Sequence, residues 1–127
     1  MKSPTPSILA VAAVVSLLAA GCASTSSSSK PSLSIEQIME DGFKGKESLS
    51  ARIAKGQGNE ADFKKMAFLT KELAMNKPSK GDLGSWTEKT KALQAAAESL
   101  AAGKPGALDG FKTAVNCKAC HSVHKPD

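Results

Sequence analysis

Residues 117–121 read Cys117-Lys118-Ala119-Cys120-His121, two thiols three positions apart followed at once by an imidazole. Three reactive side chains within little more than one helical turn tie any group they hold to a single element, and the rest of the chain has to be arranged around that group. C-x-x-C-H is the spacing of a c-type haem attachment site. Each thiol can form a thioether with a haem vinyl group, and the histidine that follows can ligate the iron from the same side. Cys117 and Cys120 are therefore expected to hold one covalent haem c, with His121 as an axial iron ligand. A structural zinc site usually closes its tetrahedron with ligand pairs from separated segments, whereas Cys117, Cys120, His121 and His124 share eight consecutive residues. A thioredoxin-like redox pair needs a βαβ setting, and no stretch of this chain alternates as a strand does. With three cysteines in 127 residues, chance is a poor account of the pentad.

Residues 1–21 combine a short basic start at Lys2, an apolar run from Ile8 to Ala20 and small residues before Cys22. That is the layout of a secretory signal, and the run is too short to span a bilayer. Leu18-Ala19-Ala20-Gly21-Cys22 resembles a bacterial lipobox, with Ala19 where leucine is commoner. Cleavage before Cys22 and its lipidation are expected; an ordinary signal cut nearby would leave a soluble protein instead. The expected location is outside the cytoplasm, lipid-anchored to a membrane and facing the periplasm. Ala23 is not the aspartate of an inner-membrane retention signal, which favours the outer membrane. Lipid on Cys22 and haem on Cys117 and Cys120 use every cysteine, so no disulfide is expected in the oxidising compartment. The serine-rich segment that follows completes a flexible tether, residues 22–34, ahead of one domain, residues 35–127.

That domain reads as all-α, with four helices separated by Gly, Pro or Asn. The first starts at a Ser34–Gln37 capping box and runs to about Gly56, with Ile35, Ile38, Met39, Gly42, Leu49 and Ile53 on one stripe and Lys46 discordant on it. The second is capped by Asn59 and ends before Asn76-Lys77-Pro78. The third starts at a Ser85–Glu88 capping box and stops at Gly103. The fourth starts near Pro105, carries Leu108, Phe111 and Val115, and continues into the pentad. Short connections between four such helices imply a four-helix up-down bundle. On a continuous last helix His121 projects about 20° from Ala114 at 100° per residue, so the haem is expected against the flank of the bundle. The domain has only five aromatic residues, so the haem would add a large apolar surface to a small core.

Asn116-Cys117-Lys118-Ala119-Cys120-His121 on the last helix, Trp86 opening the third and Ile38-Met39-Glu40-Asp41-Gly42 in the first align with one family. Over residues 35–125 the chain resembles the class II c-type cytochromes, the cytochrome c-prime family. In that family the residue on the far side of the haem comes from the first helix, nonpolar in high-spin members and methionine in low-spin ones. The resemblance thus implies that Met39 is the second axial ligand opposite His121, an arrangement suited to electron transfer because His/Met ligation raises the reduction potential. Placement supports the same role, since Met39 is on the buried stripe and Gly42, one turn on, leaves room for a porphyrin. A methionine on such a stripe also serves as ordinary core filling. Met66 and Met75, on the second helix, lack that placement. His124 stands where many members have tyrosine and is expected to be solvated or to meet a haem propionate, and Lys125 matches the basic residue that commonly follows. Members often pair through their first two helices, which keeps a homodimer open.

The formal charge is +5 and falls by one when Lys2 leaves with the signal. Sixteen lysines and Arg52 are spread along the chain, which argues against nucleic acid as a partner. Lys112, Lys118 and Lys125 lie near the pentad and could steer an acidic redox protein. The function expected is a one-electron carrier, not an enzyme. The alternative is a sensor or scavenger of nitric oxide or carbon monoxide with an open sixth position. A peroxidase-like catalyst would need a polar distal acid–base group, and the stripe of the first helix offers no histidine or arginine.

Overall fold

The backbone is helical, with no strand among the described residues, and runs through α1 (Ile35–Gly42), α2 (Leu49–Ala54), α3 (Glu60–Met75), α4 (Leu83–Ala101), α5 (Ala107–Ala114) and α6 (Cys117–His124). The structure is a computed structural model that describes residues 29–127. The expected signal segment, the lipidation site Cys22 and tether residues 23–28 lie outside the described residues. The described residues are all-α, as the periodicity indicated. No helix among the described residues is long and apolar enough to cross a membrane.

Two of the four expected helices are broken. Met39 O accepts from both Phe43 N and Lys44 N at the end of α1, Gly45 turns the chain at φ +98°, and Ser48 starts α2 by accepting from Ala51 N at 3.3 Å. Glycine is the residue that enters this left-handed region without strain, and Lys46, discordant on the expected stripe, sits in the break. Near the other end α5 stops at Val115, and the Asn116 side chain accepts from Ala119 N at 3.0 Å to start α6. Asparagine offers the backbone this alternative to a continuing helix, so the angular relation expected between Ala114 and His121 does not hold. The Ser34–Gln37 and Asn59 caps form as expected, Asn59 in a reciprocal box with Asp62. α4 begins earlier than a Ser85–Glu88 box would have it, because Asp82 Oδ2 accepts from Ser85 N at 2.8 Å.

α3 and α4 form the main helical pair; α5 packs on α4, α1 and α2 follow one another along α3, and α2 also meets α5. α6 packs on α4 alone. The shared core contains Ile38, Ile53, Met66, Leu69, Ala97 and Phe111, all at most 1% exposed. Full burial of each large member contributes about 1.5–3 kcal/mol. Thr70 and Thr90, also buried, donate their hydroxyls to Met66 O at 2.9 Å and Trp86 O at 2.8 Å. A Cβ at Gly42 would stand 2.9 Å from Leu69 Cδ1. The glycine lets α1 close on α3.

Glu72 fixes the start of the domain. Its Oε2 accepts from Ser32 N at 2.6 Å, Ser32 Oγ at 2.9 Å and Leu33 N at 3.0 Å, so the last residues of the expected tether are bonded to α3. Burial pushes the carboxyl up, but the bonds from Leu33 and Ser32, helped by Lys71, outweigh it and hold the group below its ordinary value. A carboxylate lowered on folding stabilises above its unfolded pKa, and that contribution is lost as pH falls through the lowered value. Glu72→Gln is expected to lose about 2 kcal/mol at neutral pH, since three bonds to a charge become weaker neutral ones. Thermal unfolding should show the gap to wild type narrowing as the pH drops through the carboxylate range.

Candidate functional site

The cap on Asn116 starts α6 at Cys117, and from there the pentad is laid along its first turns. Cys117 is exposed and Cys120 half-buried, with no disulfide between them. Cys120 packs against the core cluster. Burial pushes its thiol above the ordinary value, nearby Cys117 adds to this, and the Lys89 ammonium opposes it. Burial thus disfavours the thiolate form of Cys120. His121 is exposed, and among the described residues its ring has no hydrogen-bond or ion-pair partner.

The second histidine is held. His124 is 4% exposed, with Nδ1 3.0 Å from Lys80 O and Nε2 3.3 Å from Ser85 Oγ. A carbonyl only accepts, so Nδ1 carries the hydrogen, and in the neutral ring Nε2 receives the Ser85 hydroxyl. The ring meets Trp86 edge-on, centroids 5.4 Å apart and planes at 78°, while Trp86 Nε1 donates to Asn76 O at 2.8 Å. The expectation of a solvated or propionate-bound His124 is corrected: its place is the seam between α6 and the start of α4. The signal in the sequence was Lys80-Gly81-Asp82, a turn whose glycine sits at φ +87°.

The structure brings Cys117, Cys120 and His121 together on α6 and leaves Met39 on α1. Met39 is partly buried and packs on the core. Leu33, at the head of α1, receives Asn76 Nδ2 at 2.9 Å, and His124 binds Lys80 O. α1 and α6 thus flank the same α3–α4 loop end, without close backbone approach to each other. Of the steering lysines, Lys112 stands 3.8 Å from Asp109, and Lys118 and Lys125 are exposed. Two open cavities, one beside Glu40 to Arg52 and one beside Leu100 to Asp109, include no residue of α6.

The donor set discriminates between metal chemistries. Among the described residues no three His, Cys, Asp or Glu side chains gather as ligands for a metal ion, and His124 is committed elsewhere. A porphyrin supplies four nitrogens of its own and asks the protein only for axial donors and covalent anchors. Two unlinked thiols and one unengaged imidazole on one short helix fit that requirement. No family model matches the chain, and neither the curated proteins nor the solved structures contain a match.

Proposed function

We propose that the chain is an exported mono-haem c-type cytochrome of the class II kind, a one-electron carrier built as a four-helix up-down bundle. In this reading α1 with α2 and α5 with α6 are each one broken helix of the bundle, and α3 and α4 are whole. The observation that carries it is the contrast on α6: His124 spends both ring nitrogens on hydrogen bonds within the fold, while the His121 ring and the two thiols make none. Cys117 and Cys120 would hold the group, each thiol adding its sulfur and hydrogen across a vinyl double bond with nothing released. His121 would offer a ring nitrogen to the iron, and Met39 its thioether from the first helix. Bound haem supplies a one-electron iron couple. Held at two thiols and His121, such a group would serve as a carrier of single electrons rather than as the centre of an enzyme. Lipid on Cys22 would keep it at the periplasmic face of a membrane, and exposed Lys118 and Lys125 would steer acidic redox proteins.

The alternative is a gas-binding reading in which Met39, on α1 and partly buried in the core, does not reach the iron. Absorption spectra of the haem-loaded protein, reduced with and without carbon monoxide, separate the two. The carrier reading predicts a low-spin spectrum that carbon monoxide leaves unchanged; a high-spin spectrum that shifts with the gas would transfer the assignment to the second reading.

A further inference from the structure

α6 has eight residues and packs on α4 alone. A helix so short does not hold itself in water, so its position is set by what pins it. Its residues offer few pins. Cys117 and His121 are exposed, Val123 is 38% exposed, and Cys120 adds half-buried packing against the core but no hydrogen bond. The exposed Lys80–Asp127 pair at 2.9 Å contributes little. That leaves His124, whose two nitrogens reach two different places, the Lys80 carbonyl in the loop and the Ser85 hydroxyl on α4. Gly81 is cut to fit it: a Cβ there would stand 2.6 Å from His124 Nδ1 and 2.8 Å from Val123 O.

We propose that His124 is a positioning residue, a clamp that seats α6 on the head of α4 and so sets where His121, one turn back, presents its ring. The inference rests on the haem-attachment reading for its functional consequence but not for the clamp itself. The last residues of α6 are held from two sides, and the free imidazole inherits its direction from them.

The test is amide hydrogen exchange on the full chain, haem-free and haem-loaded, with absorption spectra of the loaded form. His124→Ala and Gly81→Ala are each expected to speed exchange in α6 tenfold or more while α3 changes less than twofold. His124→Asn, which keeps a donor for Lys80 O, restores most of the protection. Ser85→Ala, which removes one contact and leaves the core intact, gives an intermediate rise and serves if the harsher variants do not fold. In the loaded form His124→Ala keeps its covalent haem but mixes high-spin with low-spin absorption, which a general loss of stability would not do selectively. Exchange in α6 within twofold of wild type in Ser85→Ala and in the folded harsher variants overturns the clamp. A wild-type chain without covalent haem overturns the attachment reading instead, and exchange in that chain still decides the clamp.

Discussion

Replacing both thiols, Cys117→Ser with Cys120→Ser, is expected to abolish covalent haem, so that acidified organic solvent strips all visible absorbance from the purified chain. The hydroxyl of serine does not add to a vinyl group under conditions where a thiol does, and no other cysteine lies in the described domain. Either single variant keeps one thioether and should retain covalent haem at lower yield. Cys117 is exposed and Cys120 half-buried, so Cys120→Ser also disturbs packing against the core, and Cys117→Ser does not. The double variant should lose stability as well, because a bound porphyrin covers apolar surface that five aromatic residues leave this small domain short of. A deficit of about 2 kcal/mol, or roughly 10 °C in the midpoint for a domain of this size, is the expected scale by thermal unfolding.

Met39→Ala is the second variant with a large expected effect. If the thioether is the axial ligand opposite His121, its removal turns a low-spin spectrum into a high-spin one, opens the iron to carbon monoxide and lowers the reduction potential. Met39 is only partly buried at the edge of the core, so truncation should cost no more than about 2 kcal/mol, below the range for a fully buried methionine. Met66→Ala is the matched control, fully buried in α3: it should destabilise by more, about 2–5 kcal/mol, and leave the spectrum alone. A Met39→Ala protein with unchanged low-spin absorption would remove Met39 from the iron and return it to the core.

The helical class was legible from periodicity and caps because both are local: Ser34 with Gln37 and Asn59 close as short-range patterns require. The breaks were harder to read. Gly45 looked like an ordinary residue of a long amphipathic stripe, and only Lys46 beside it was out of pattern. Asn116 starts a new helix where the apolar spacing of Leu108, Phe111 and Val115 implied continuation. Most of all, the sequence could not show that His124 is built into the fold, since its spacing from the pentad says nothing about what lies opposite. His124 became structural through Lys80 and Ser85, about forty residues away in the chain, and Gly42 became a packing glycine through Leu69. Glu72, invisible as a site in sequence, ties Ser32 and Leu33 to α3. Such long-range pairings depend on topology, which periodicity does not encode.

The most direct test of the central claim is the intact mass of the full-length chain purified from a host that performs c-type haem maturation, with thiols alkylated after reduction. The account predicts one haem added per polypeptide and no alkylation at Cys117 or Cys120. A haem-free mass with both thiols alkylated would contradict it.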